Sequence, residues 1–209
     1  MPKSPPVTIV NVGHRSTNYW VISAGRSRLL VDLGWPGGLG ALQANLRRMD
    51  IPLAEIRYGL ATHYHIDHAG AAQELKQAGV PLLVIDLQVE AIPAMARWTK
   101  PQDGYVPITT HDNVVISCQE SRALLAELGM SGEILHTPGH SADSVSLLLD
   151  NGCAFTGDLT HPAFIGAEDR ETVLASWRLL WEEGASRIYP GHGPVWTLDP
   201  TLFAPDNPQ

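Results

Sequence analysis

The nine residues Thr62-His63-Tyr64-His65-Ile66-Asp67-His68-Ala69-Gly70 hold three histidines and a carboxylate. Neutral imidazole and carboxylate are ligands suited to Zn²⁺ and related divalent ions. If the chain enters this loop extended, side-chain alternation puts His63 and His65 on one side, where both reach one ion. Asp67 and His68, beyond the turn, are then free to face a second. Four donors divided between two ions leave each short of its usual coordination, so more are required. Three stand downstream, each in a glycine-containing turn after an apolar run. They are His140 in Pro138-Gly139-His140-Ser141, Asp158 in Phe155-Thr156-Gly157-Asp158, and His192 in Tyr189-Pro190-Gly191-His192-Gly193. Small residues beside a donor let the backbone approach a buried site.

These donors must be positioned by the elements around them. Residues 56–62 read as a strand entering a loop and 69–78 as a helix leaving it. The first cluster therefore sits at a strand-to-helix junction, a place where α/β proteins carry chemistry. Residues 7–12, 19–23 and 28–32 read as consecutive strands of a meander. An amphipathic helix is predicted over 38–49, with Leu39, Leu42, Leu46 and Met49 at spacings of three or four. Further strands are predicted at 81–85, at 113–117 running into Cys118, up to His136, at 144–150, 153–157 and 187–189. Helices are predicted at 119–129 and 170–183, the latter presenting Val173, Leu174, Trp177, Leu180 and Trp181 on one face. The Pro-rich stretch 197–209 reads as irregular. This order implies an α/β protein with two mixed sheets facing each other and helices outside, in one domain over 1–209.

The ordered donor set, with the strand 18–22 before it and Gly193 after it, resembles the metallo-β-lactamase fold superfamily. Within that superfamily it is most similar to the glyoxalase II-like and lactonase-like dinuclear hydrolases. The resemblance implies a four-layer αβ/βα sandwich with every donor loop at one edge. Carried over residue by residue, it implies His63, His65 and His140 on one metal and Asp67, His68 and His192 on the other. Asp158 would bridge them. The implied cofactor is a pair of divalent ions, Zn²⁺ by preference, with Fe or Mn also suited to the same ligands. Asp32, in Leu30-Val31-Asp32-Leu33-Gly34, resembles a position that supports a ligand histidine through its second ring nitrogen. Thr62 is expected to assist it.

Two bridged divalent ions acidify a shared water and polarise a carbonyl. The expected reaction is therefore cleavage of an ester, lactone or thioester in a small-molecule substrate by a metal-bridging hydroxide. Asp67 is the candidate to accept or orient the attacking proton. His161, three residues past Asp158, is the candidate substrate contact or acid. Gly-x-Ser-x-Gly does not occur, so nothing points to a serine hydrolase. Asp158 argues against a true β-lactamase, since lactamases that resemble this motif elsewhere lack the bridging aspartate. The short stretch after His192 argues against glyoxalase II itself, which carries a further helical region. β-Lactamase-like and phosphodiesterase hydrolysis are the alternatives of the same class. A mononuclear iron oxygenase of the persulfide dioxygenase type is the alternative of another class.

Residues 86–112 are interrupted by Pro93 and Pro101, which stop a long helix, yet carry Met95, Trp98 and Tyr105. They read as a lid or pocket wall, because pockets favour apolar linings; a homodimer contact through Trp98 is the other use. His136, Tyr64, Asp143 and Ser144 read as structural. The 209 residues, 44% of them apolar and 17% charged, fit a globular chain with a substantial core. A formal charge of −8 disfavours nucleic acid, which wants clustered Lys and Arg. Two cysteines without paired spacing favour a reducing compartment. No apolar run suits a signal sequence or a membrane span, so a cytoplasmic protein is expected.

Overall fold

Alternation along the strands sorts the apolar side chains into layers. In β2 (Trp20–Ala24), Trp20 and Ile22 face one way and Val21 the other. β3 (Ser27–Val31) sets Leu29 and Val31 against Leu30, and β5 (Leu82–Ile85) sets Leu83 and Ile85 against Leu82 and Val84. With β1 (Thr8–Asn11), β4 (Ile56–Leu60) and β6 (Val114–Ile116), these form a six-stranded sheet in the order β1-β2-β3-β4-β5-β6. The opening strands pair antiparallel and β3 to β6 pair parallel, so the sheet is mixed. The computed structural model describes residues 6–166 and 169–202. Residues 1–5 and the part of the Pro-rich stretch from 203 onward lie outside these.

A second sheet has the order β11-β10-β9-β8-β7. Its strands are β7 (Gly132–His136), β8 (Val145–Leu149), β9 (Cys153–Gly157), β10 (Arg187–Pro190) and β11 (Trp196–Thr197). Only β9 and β10 pair parallel. Ile134, Val145, Leu147, Leu149, Phe155 and Tyr189 meet Trp20, Ile22, Leu29 and Leu83 between the sheets. On the outer face of the first sheet, Leu42 and Leu46 of α1 (Leu39–Arg48) and Leu75 of α3 (Ala72–Gln77) cover Val21, Leu30 and Val84. On the outer face of the second, Val173, Leu174, Trp177 and Leu180 of α6 (Arg170–Glu182) cover Leu148, Ala154 and Ile188. The result is the αβ/βα sandwich of two mixed sheets.

Four details differ from the sequence expectation. The helix after the first motif begins early, as α2 (Ile66–Ala69), and is separated from α3, so Asp67 and His68 lie on a helical turn. Cys118 opens α5 (Cys118–Glu127) instead of closing a strand, because Glu120 accepts the N–H and hydroxyl of Ser117 at 2.8 and 2.7 Å and turns the chain. The expectation that Trp181 shares the buried face of α6 is corrected. It is 48% exposed, since one residue past Leu180 rotates it about 100° around the axis. Thr197, the first residue of the stretch read as irregular, pairs with β10 together with Trp196 just before it.

Residues 86–112 fold as the 3₁₀ turn Asp86–Gln88, α4 (Ala91–Ala94) and the 3₁₀ turns Met95–Trp98 and Pro101–Asp103. Thr109 donates its N–H to Gln73 Oε1 at 2.9 Å, and Lys76 Nζ donates to Thr109 O at 3.0 Å. At the segment's start, buried Gln88 donates Nε2 to the carbonyls of Ala61, Thr62 and Asp143 at 3.1–3.2 Å. Both ends are thus fixed to the scaffold. No described helix is long and apolar enough to cross a membrane. Gln88→Ala removes the donor that Ala61 O and Asp143 O receive, while Thr62 O keeps Val145 N–H, and is expected to cost about 2–4 kcal/mol, read as a lower midpoint in urea unfolding.

Candidate metal centre

The donor loops follow the ends of strands that gather at one edge of the sandwich. Asp32 comes directly after β3, Thr62 and His63 just after β4, Asp158 after β9 and His192 just after β10. His140 lies between β7 and β8. The loop 61–68 is held from both sheets. Thr62 donates its N–H and Oγ1–H to Asp32 Oδ1 at 2.9 and 2.8 Å. Val145 N–H of β8 reaches Thr62 O at 2.8 Å, and Tyr64 N–H reaches Asp143 Oδ2 at 2.8 Å.

Seven side chains converge there in two groups. One ligand atom each from His63, His65 and His140 lie within 4.8 Å of one another, and so do those of Asp67, His68, Asp158 and His192. His140 Nε2 stands 2.9 Å from His65 Nδ1. Asp158 lies between the groups: Oδ1 is 3.2 Å from His68 Nε2, while Oδ2 is 3.4 Å from His192 Nε2 and 3.7 Å from His140 Nε2. Asp67 Oδ2 stands 3.1 Å from His192 Nε2 and 3.3 Å from His68 Nε2.

Ring tautomers follow from what the other nitrogen touches. His68 Nδ1 meets Asp32 Oδ2 at 2.9 Å, and His192 Nδ1 meets Ser16 O at 2.7 Å. His63 Nδ1 meets Thr62 Oγ1 at 3.1 Å, and that hydroxyl already gives its hydrogen to Asp32. In each ring Nδ1 therefore carries the hydrogen, and Nε2 turns a lone pair toward the cluster. Among the described residues, His63 Nε2 and His68 Nε2 are buried with no hydrogen-bond partner. A buried polar atom left so costs about 1–3 kcal/mol. A divalent cation shared with the neighbouring imidazoles and carboxylates satisfies both atoms, so these residues fit such an ion.

Electrostatics point the same way. Burial, reinforced by the surrounding imidazoles, pushes the His63 pKa far below the ordinary histidine value. Burial acts likewise on His68, but Asp32, Asp158 and Asp67 outweigh it and raise that pKa well above the ordinary value. Burial raises Asp67 and Asp158, yet contact with His68 overrides it and holds both carboxyls below their usual range. The pocket around His68 Nε2 thus attracts positive charge, and a metal ion would take the place of the proton.

Two glycines make this convergence possible. Gly157 has φ +52°, and a Cβ there would run into the Thr62 hydroxyl and Cβ. A Cβ on Gly191 would lie 2.5 Å from both Asp158 Oδ1 and His68 Cε1.

The structure brings together the seven expected metal donors, with Asp32 and Thr62 behind them. His161 stands beside them, on a cavity of about 480 Å³ that is also lined by His140, Asp158, His192, Phe164 and Trp196. The expected pocket residues of 86–112 are placed elsewhere. Met95 is 1% exposed in the core under the first sheet, and Tyr105 packs against the same core. Trp98 is 75% exposed, and the described lining of the cavity includes none of the three. The short turns of this segment bury Ile92 and Met95 in the core layer of the first sheet. Sequence reasoning missed Thr17, whose Oγ1 donates to Asp67 Oδ2 at 3.1 Å, and also Gln88, Phe164 and Trp196. The first two act through fold-dependent hydrogen bonds; the aromatics lie close to Asp158 and His192, where a search for cavity walls could have begun.

Two facing mixed sheets with clustered histidine and aspartate at one edge define a metal-binding α/β sandwich. The sequence matches the description "Metallo-beta-lactamase superfamily" over residues 12–192, and the chain belongs to that superfamily. It is 32% identical to the lactamase-like protein nscB of Trichophyton equinum over 87% of this chain and 49% of that one. It is 30% identical to thioesterase pkgB of Emericella nidulans, over 86% and 46%. The chain spans about half the length of these curated relatives. Among solved structures, TTHA1623 in a di-iron-bound form is similar at TM-score 0.66 and 27% identity, over 97% of this chain and 99% of that one. The BLEG-1 B3 metallo-beta-lactamase shares the fold at TM-score 0.68 and 23% identity, over 92% and 94%.

Asp32→Asn keeps the volume and the left-handed backbone but weakens the hold on His68 and Thr62. Metal affinity in a chelator competition is expected to fall about 10–100-fold. Gly191→Ala should lower the metal content per chain, measured by elemental analysis, while the far-ultraviolet circular dichroism keeps its shape.

Proposed function

We propose that this chain is a dinuclear metal-dependent hydrolase of the glyoxalase II-like and lactonase-like kind, cleaving an ester, lactone or thioester in a small-molecule substrate. The observation that carries this is the place of Asp158. One carboxylate within 3.7 Å of imidazole nitrogens from both donor groups has the position a bridging ligand needs. His63, His65 and His140 would hold one ion; Asp67, His68 and His192 the other. When bound, such ions acidify water and polarise a carbonyl.

The chain's own residues supply the rest. Asp67 receives the Thr17 hydroxyl hydrogen on Oδ2 and so keeps a fixed orientation, from which it can align the attacking water and take its proton. His161, on the cavity wall, is placed to contact the substrate. Water adds its oxygen to the acyl carbon, the C–O or C–S bond breaks, and the leaving group departs with a proton. The relatives support an acyl or β-lactam bond: one is named a thioesterase and several are named lactamase-like. Zn²⁺ remains our preferred metal, and the di-iron form of a similar protein supports iron as the competitor.

Two measurements test the reading: metal content per chain, and turnover on a panel of thioesters, esters, lactones, β-lactams and phosphodiesters. Two ions per chain with acyl-bond turnover is the expected result. A single iron with oxygen uptake would overturn it in favour of an oxygenase. Asp158→Ala is expected to lose one ion per chain and at least about 100-fold in kcat, in line with losing a metal-organising ligand. Two retained ions and full turnover would remove Asp158 from the bridge.

A further inference from the structure

We infer that the cavity walled by His161, Phe164 and Trp196 is an acyl subsite that selects a flat aromatic acyl group. This rests on the hydrolase reading above and names its substrate class.

The cavity, of about 480 Å³, opens on His140, Asp158 and His192, so a group seated in it lies beside the donors at which the carbonyl would be attacked. Its size lies in the lower half of the ordinary range for small-molecule sites. Three rings form its sides. His161 and Trp196 have centroids 4.5 Å apart at 51°, and His161 and Phe164 are 5.5 Å apart at 47°. At the back, Trp177 stands 5.3 Å from Trp196 and gives its indole N–H to Thr160 O at 2.8 Å. Trp177 is fully buried in the α6 layer, so the cavity ends there. Between these walls a one- or two-ring group meets aromatic faces on several sides.

Phe164 and His161 complete the argument. Phe164 is 80% exposed at the rim, an apolar ring that a seated aromatic group would cover. His161 Nδ1 accepts the N–H of Ala163 at 3.1 Å, so in the neutral ring the hydrogen sits on Nε2. The aromatic side of the wall therefore includes an imidazole N–H, suited to a ring hydroxyl or carbonyl oxygen of the acyl group. The product is an aromatic carboxylate, released with the thiol or alcohol.

The test uses the metal-loaded chain with benzoyl and acetyl thioesters of one thiol, and calorimetric binding of benzoate. The wild type should favour benzoyl. In Phe164→Ala and Trp196→Ala the benzoyl-to-acetyl ratio of kcat/KM should fall about tenfold, equivalent to about 1.4 kcal/mol of lost aromatic contact. Benzoate binding should weaken in parallel. Phe164 is an exposed rim residue, so its variant reads the pocket even if Trp196→Ala folds poorly. Acetyl turnover with no benzoyl preference, or a ratio unchanged in Phe164→Ala, overturns the subsite and leaves the hydrolase reading intact. Benzoate binding that weakens in both variants, with no acyl turnover on any substrate, upholds the pocket and overturns the hydrolase reading.

Discussion

The buried carboxylate of Asp32 organises the centre. It is 1% exposed and sits at φ +64°, a left-handed conformation that aspartate tolerates better than most residues. Its Oδ1 takes both hydrogens of Thr62, which in turn receives His63 Nδ1, while its Oδ2 faces His68 Nδ1. One side chain therefore sets the tautomer of a histidine in each donor group. An isolated buried carboxylate is costly. Here three close contacts and a neighbouring cationic site offset that cost, which ties the stability of the first sheet's edge to the occupancy of the centre.

That edge is completed from the second sheet. His63, His65, Asp67 and His68 follow β4, whereas His140, Asp158 and His192 come from loops of β7, β9 and β10. The apolar layer of Trp20, Leu83, Phe155 and Tyr189 sets how closely the sheets approach. Trp20 also gives its indole N–H to Pro190 O at 3.1 Å, two residues before His192. Packing of the sandwich and assembly of the donors are thus one event. A cation held by donors from both halves would bind only the packed state and would stabilise the pairing of the sheets by mass action.

The sequence disclosed the donors because their chemistry is dense and local. Histidines at alternating positions and Gly-flanked turns are one-dimensional signals. The strands were legible for a related reason: alternation in 20–31 and 82–85 survives in both core layers. What escaped detection depends on distant partners. Nothing in the spacing of Thr17 or Gln88 indicates that one meets Asp67 and the other Thr62, separated by 50 and 26 positions. Residues 86–112 misled because apolar side chains on a proline-broken segment look alike whether they face a ligand or a sheet. The contacts of Gln73, Lys76 and Gln88, which decide the matter, are tertiary.

Those same contacts explain how the two flanks of the centre differ. On the first-sheet side, Gln88 hydrogen-bonds to the backbone of the donor loop and Thr109 is fixed to α3, so residues 86–112 brace the metal loop. Movement there would disturb His63 through Thr62. On the second-sheet side, the rings of Phe164 and Trp196 pack against His161, and His161 holds its own turn through Ala163. The exposed Phe164 ring on that flank contributes little packing, whereas Trp196 also packs against the buried Trp177. On the hydrolase reading proposed above, recognition would then fall to the rim where packing demands least, at exposed Phe164 beside the aromatic cavity, while the braced loop would keep the donors fixed.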